Sequence, residues 1–234
     1  MNKIICPICY KENFVLDFKC ADCGSIIREN YRTINLGETL KDLLFNPEFA
    51  IKKILFSEHK NYLFFLLALL GLKITVLFFY LNSIYDQDIN VPILSLSFYV
   101  FSYYIIFIFL LGLIFQLIIK LITRHNIHYK NSLSIIVYSF SYFSIMGFIL
   151  FILEMMLFGV YFFSRNPNIF QINSLKAIAV VGLEVILFFY SSYLFINFLV
   201  FILQKKFIAL ILFIVFFISF YIGSELLKKI IGIN

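Results

Sequence analysis

Four cysteines carry the chemistry that spacing specifies most sharply. They stand as Cys6-Pro7-Ile8-Cys9 and Cys20-Ala21-Asp22-Cys23, two C-x2-C pairs separated by ten residues. Two residues between thiolates let a tight turn aim both sulfurs at one ion, and two such turns complete a tetrahedral site with metal–sulfur distances near ~2.3 Å. Pro7 and Gly24 suit these turns, one by fixing φ and the other by tolerating a left-handed backbone. Phe14, Leu16 and Phe18 alternate with Val15 and Asp17 between the pairs, the pattern of a short strand or hairpin arm. A structural Zn2+ held by Cys6, Cys9, Cys20 and Cys23 is the expectation.

Residues 4–28 resemble a zinc ribbon. Two disulfides, as in small secreted scaffolds, and a rubredoxin-like iron site remain as other uses of the same cysteines. No basic start, apolar stretch and cleavage site occur within Met1–Asn30, which disfavours disulfides. Tyr10 stands where iron knuckles usually carry glycine. The nearest histidine, His59, is thirty-six residues beyond Cys23, so a closed structural site is expected in place of a catalytic one. A module of about thirty residues cannot bury a sufficient core, so its stability is to come largely from the metal.

The second set of candidates consists of ionisable residues inside apolar runs, where their cost makes them functional candidates by default. Lys73 lies eleven positions beyond Tyr62 in the run 62–81 and Glu184 nine positions beyond Leu175, so both fall near mid-membrane, approached from opposite sides. Their depth permits a pair. A structural ion pair, a transport or proton-relay role, and snorkelling without contact are the three readings. Glu184 shares a face with Ala177, Val181 and Ser191, whereas the face of Lys73, with Leu66, Leu69, Leu70, Val76, Leu77 and Tyr80, does not point clearly inward. Glu154 falls in the outer half of the third run. His125 and His128, beside Arg124 and Lys130, read as interfacial residues and not as a metal site.

The elements that position these groups follow from composition. Of 234 residues 62% are hydrophobic and 14% charged, with mean hydropathy +0.98, against roughly 45–50% and about 25% in soluble domains. The chain is therefore expected to be an all-α polytopic membrane protein with a small N-terminal β-type zinc ribbon. Residues 1–61 hold nine of nineteen Lys/Arg and eight of thirteen Asp/Glu, the mixed surface of an aqueous module. The organisation expected is a ribbon over 1–34, amphipathic juxtamembrane helices over 35–61, and a membrane domain over 62–234. A crossing needs about 20 apolar residues, and five runs qualify: 62–81, 93–119, 132–163, 175–203 and 207–227. The third is long enough to be tilted or broken, with Gly147 and Gly159 as places for a bend, and a sixth partial crossing stays open. Gly71-x-x-x-Thr75, and Ser141, Ser144 and Gly147, are expected at helix contacts. The thirty-two Phe and fifteen Tyr, with no Trp, read as compositional bias and not as a binding stripe.

Before the first run, Leu36, Leu40, Leu43 and Leu44 have helical spacing and Asn46-Pro47 restarts the helix, Asn46 as cap and Pro47 as first residue. This segment reads as an interfacial collar or a docking surface. With the N-terminus inside, Lys41, Lys52, Lys53, Lys60, Lys120, Arg124, Lys130, Lys205 and Lys206 face the cytoplasm, and Arg165, Lys176, Lys228 and Lys229 face out. The loop with Asp86 and Asp88 has no basic residue, in keeping with an outer position.

The order of ribbon, Asn-Pro helix and about five closely connected crossings is similar to prokaryotic members of the Ypt-interacting-protein (Yip) family. The likeness rests on Leu43-Leu44-Phe45-Asn46-Pro47-Glu48-Phe49 and on the crossings over 40–230. The resemblance implies a multi-pass membrane protein, in the inner membrane if prokaryotic. The eukaryotic branch works with Rab-type GTPases through an Asp-Leu-Tyr-Gly-Pro motif that this chain does not contain. No H-E-x-x-H, G-x-S-x-G or Gly-rich phosphate loop occurs, so no enzyme is expected. The leading expectation is a scaffold or adaptor whose ribbon engages a cytoplasmic protein. The alternative is a small transporter or channel using Lys73, Glu184 and Glu154. The bilayer is the expected surrounding, no basic stripe suggests nucleic acid, and homo-oligomerisation is left open.

Overall fold

The computed structural model describes residues 3–14, 17, 19–27, 33–84, 92–124 and 127–232, without the side chains of Lys3 and Phe14. Val15, Leu16 and Phe18, the loop holding Asp86 and Asp88, and His125 lie outside these residues. The ribbon contributes a two-stranded antiparallel sheet, β1 (Lys3–Ile5) with β2 (Glu12–Phe14), in which Ile4 faces Asn13. A single bridge between Lys19 and Ile26 makes a second, shorter hairpin. Each hairpin carries one cysteine pair at its tip.

Two capped helices follow. Asn35 accepts from the Glu38 amide at the start of α1 (Leu36–Phe45), and Asn46 accepts from the Phe49 amide at the start of α2 (Pro47–Phe56). These side-chain bonds satisfy amides that a helix start leaves without partners. Leu43, Ala50, Ile51, Ile54 and Leu55 are buried, while Leu44, Phe45 and Phe49 are exposed. The elbow therefore has one face in the protein core and one free for headgroups. Tyrosine hydroxyls fasten it from the bundle: Tyr142 donates to Leu40 O at 2.5 Å and Tyr190 to Leu43 O at 2.7 Å. Lys60 closes the far end of α2, donating to Ile54 O, to Leu55 O at 3.1 Å and to Ser57 O at 3.0 Å. An ammonium at a helix C-terminus meets both free carbonyls and the negative end of the dipole.

The membrane domain comprises α3 (Leu63–Leu81), α4 (Ile93–Thr123), α5 (Tyr129–Ser139), α6 (Ser141–Phe158), a 3-10 segment (Gly159–Phe163), α7 (Ile169–Leu203) and α8 (Lys206–Ile231). Among the described residues five helical spans are long and apolar enough to cross a membrane: 63–81, 93–123, 141–163, 169–203 and 206–231. At 1.5 Å per residue α4 and α7 are about 46 and 52 Å long, more than the ~30 Å hydrocarbon core, so they tilt or protrude. The long third run is divided at Phe140 and not at Gly147. Ser139 and Ser144 hydroxyls donate to the carbonyls four residues back, Ile135 and Phe140, a competition that bends helices. Every residue of α5 from Ser132 to Ser139 is buried, so α5 is an internal helix wrapped by α2, α3, α4 and α7. Its eleven residues are too short to be a sixth crossing. The run does turn at Gly159, whose φ of 57° is open to glycine.

In α7, Asn173 leaves helical geometry and its side chain accepts from the Lys176 amide at 3.1 Å, recapping the helix one turn from its start. Phenylalanine fills the centre: Phe140 lies 6.0 Å from Phe195 and 6.1 Å from Phe216, ring centre to ring centre. The aromatic abundance is thus used in packing. Gly71 of α3 leaves room for Ile105 and Phe101 of α4, which would stand 2.7 and 3.0 Å from a Cβ there.

Candidate metal centre and intramembrane charge group

Both knuckles are built by the same backbone bonds. Cys6 N donates to Lys11 O at 3.0 Å and Tyr10 N returns to Cys6 O at 3.0 Å; Cys20 N donates to Ser25 O at 2.8 Å and Gly24 N returns to Cys20 O at 3.0 Å. The residue after each second cysteine is left-handed, with φ 58° at Tyr10 and 69° at Gly24. Tyr10 therefore adopts the conformation that glycine takes in the other knuckle, and the cost of its Cβ is accepted there. An ion pair of 2.6 Å between Lys11 and Asp22 links the two turns.

The four sulfurs lie within 4.8 Å of one another, the one such group of metal-binding side chains among the described residues. Cys6 and Cys23 approach to 3.6 Å and Cys9 and Cys20 to 3.4 Å, and all four are free thiols. A disulfide would need about 2.05 Å, whereas a tetrahedral thiolate site with metal–sulfur near 2.3 Å has sulfur–sulfur edges of about 3.8 Å. The residues fit a metal ion. Amides and Asn13 support the sulfurs from outside: Ile8 N meets Cys6 Sγ and Asn13 Nδ2 meets Cys20 Sγ, each at 3.5 Å. The Ser25 hydroxyl, with backbone amides, holds the Cys6 thiol down to about 6. Although the Lys11 amide favours its thiolate, Cys9 is pushed up to about 12, with Cys20 the main opposing neighbour. Four thiolates so close repel one another, and a cation removes that conflict.

The second group lies inside the bundle. Lys73 of α3 and Glu184 of α7 form an ion pair, with side chains 1% and 14% exposed. Helix α6 packs against both α3 and α7, and the lysine stem crosses it at Gly147. A Cβ on Gly147 would stand 2.9 Å from Lys73 Cε and 3.1 Å from Cδ. Lys73 Nζ also lies 5.7 Å from the centre of the Phe143 ring, one turn earlier on α6. Glu154, two turns beyond Gly147, is 1% exposed and has no hydrogen-bond partner on either oxygen among the described residues. Glu225 pairs with Lys228 at 2.6 Å near the end of α8. His128 is exposed at the start of α5.

Comparison with known families decides the class: a family model described as the Yip1 domain matches residues 41–226, most of the chain. The chain belongs to the Yip1-domain family. No curated protein and no solved structure matches it. The Yip1 match begins inside α1 and ends in α8, so it takes in most of the elbow, four of the five apolar spans whole and most of the fifth, and leaves the four-thiol ribbon outside it. The cysteine site was legible from spacing alone. The roles of Gly147 and Lys60 were not: in the sequence one was a place for a bend and the other a topology charge, and neither carries a local signal of its partner.

Proposed function

We propose that this Yip1-domain protein is a non-catalytic membrane scaffold or adaptor whose ribbon binds a partner protein on the cytoplasmic side of a prokaryotic inner membrane. The observation that carries this reading is the ribbon's surface. Ile5, Ile8, Tyr10 and Ile26, on the two hairpins that carry the cysteine pairs, are 60–78% exposed, and exposed apolar groups on a metal-held module suit protein contact. A tetrahedral thiolate set points to Zn2+, with Cys6, Cys9, Cys20 and Cys23 as ligands. The excess of Lys/Arg on the ribbon side of the spans supports the orientation, and no basic stripe supports nucleic-acid binding. A groove of about 840 Å³ opens between Ile4 of the ribbon, the α1–α2 elbow and the end of α7.

A photoreactive amino acid at Ile8 tests this reading. The expected result is one defined crosslinked protein that is lost with Tyr10→Glu and with Cys20→Ser while membrane insertion persists. Crosslinks to lipid alone, or crosslinks indifferent to both substitutions, would refute it. Movement of a small ion through the bundle is a second reading, supported by the buried Glu154, which has no hydrogen-bond partner among the described residues, and flux measured in liposomes tests it.

A further inference from the structure

Three ionisable side chains on three helices share one buried region, and their charges do not balance. Lys73 is paired with Glu184, while Glu154 has neither solvent nor a hydrogen-bond partner among the described residues. Lys73 is nevertheless close enough to act on Glu154 electrostatically. One ammonium cannot offset two ionised carboxylates, and an uncompensated charge in hydrocarbon is strongly disfavoured.

We propose that Glu154 is a proton-binding site inside the bundle: it carries a proton while Lys73 is paired with Glu184, and Lys73 passes to Glu154 when that proton leaves. The lysine is suited to the exchange. Its stem lies in a notch with no opposing side chain at Gly147, and Glu154 stands two turns along the same helix. The Phe143 ring offers a cation a favourable face at the other end of that path. The step balances. Glu154 loses a proton from its carboxyl O–H, Lys73 stays an ammonium and changes partner, and Glu184, the more exposed carboxyl, takes up a proton. Both arrangements hold one cation, one carboxylate and one neutral carboxyl.

Of the elements packed on α6, α3 brings Lys73 and Tyr80, both acting on Glu154, and α7 brings Glu184 through its pair with Lys73. The titratable residues of α5 and the 3-10 segment are Tyr129, Lys130, Tyr138 and Tyr161; Lys73 is the charged group acting on Glu154. The proposal rests on the charge group used by the transport reading, and not on transport itself.

Infrared spectroscopy of the full chain in lipid nanodiscs tests it directly. A protonated-carboxyl stretch that shifts in D2O is expected at neutral pH and should vanish in Glu154→Gln. Glu184→Gln should also abolish it, because the freed Lys73 turns to Glu154, while Lys73→Met should add a second carboxyl signal. Glu154→Gln exchanges one neutral group for another and should melt as the wild type does. A wild type without the band, or a band that survives Glu154→Gln, overturns the proton site. A band unaffected by Glu184→Gln overturns the partner exchange, and a Glu154→Gln chain that fails to fold overturns the neutral carboxyl. Liposomes that show no proton flux while the band pattern holds would remove the transport reading and uphold this one.

Discussion

Gly147→Ala is the substitution whose effect the geometry sets most narrowly. The added methyl would stand 2.9, 3.1 and 3.4 Å from Lys73 Cε, Cδ and Cγ, where carbon atoms ordinarily rest at about 3.5–4.0 Å. The stem cannot simply swing away, because its ammonium is tied to Glu184. Overpacking of this kind costs about 1–3 kcal/mol, and exchanging glycine for alanine inside a helix returns about 1 kcal/mol. The net loss expected is about 0–2 kcal/mol. In a Lys73→Ala/Glu184→Gln background the obstacle is gone and only the helix gain remains, so the same substitution should stabilise by up to about 1 kcal/mol. Denaturation in mixed micelles, run as a cycle over the four proteins, reads the change of sign. Equal effects of Gly147→Ala in both backgrounds, within the roughly 0.3–0.5 kcal/mol at which independent sites add, would refute the crossing of α6 by Lys73.

Four other outcomes are expected. Lys73→Leu should lower detergent stability, bounded by an insertion cost of about 2.5–3.5 kcal/mol for a charge, Glu184→Leu should lower it less because the freed Lys73 turns to Glu154, and the double substitution should recover much of the loss; purely additive losses would show the pair to be uncoupled. The purified chain should hold one metal ion, with apparent affinity rising at least about tenfold per pH unit around neutrality, since Cys9, pushed up to about 12, must release its proton on binding while Cys6, at about 6, is already ionised; a metal competition titration at two pH values checks the slope. Tyr10→Gly relieves the left-handed tyrosine and should strengthen the folded ribbon by up to about 1 kcal/mol, about fivefold in metal affinity; weaker binding in that competition titration would contradict it. Impermeant thiol reagents should label Asp86→Cys in intact cells and spare Lys130→Cys, and the reverse pattern would invert the orientation.

The ribbon and the buried charges differ in how much of them a sequence carries. Cys6, Cys9, Cys20 and Cys23 lie in two local turns, so ligand spacing is itself the geometry, and the structure needs one long-range step to bring the turns together. Asn46-Pro47 is likewise local, and the cap forms where the residue types place it. Lys73 and Glu184 are 111 residues apart, and only their depth can be counted along the chain. The face of α3 could not be read, because a helix apolar on every side has no polar stripe to mark its exposed surface; Leu66 and Leu70, on the face of Lys73, prove buried. Of the two glycines that offer a bend in the third run, Gly159 makes one and Gly147 does not, and the further break at Phe140, beside serines that bond back to the preceding turn, has no glycine to mark it. Gly147 was free for a different task, one that depends wholly on a side chain from another helix.

The same two helices that hold the charge group also hold the elbow. Tyr142 of α6 and Tyr190 of α7 bind carbonyls of α1, and their rings meet edge to face at 5.5 Å. Tyr190 follows Glu184 by six residues, about 9 Å along α7, and Tyr142 precedes Gly147 by five. Lys73 therefore closes the α6–α7 seam at one level and the tyrosine pair closes it at another, with the first helix after the ribbon seated on the second. This seam fixes the elbow through hydrogen bonds to backbone carbonyls, which do not depend on the side chains of α1, and on the adaptor reading proposed above that is the base from which the ribbon would be presented. Substitutions at Leu40 and Leu43 should consequently disturb the elbow through lost packing at Leu43 and leave the tyrosine bonds in place, whereas Tyr142→Phe and Tyr190→Phe remove the bonds and keep the packing.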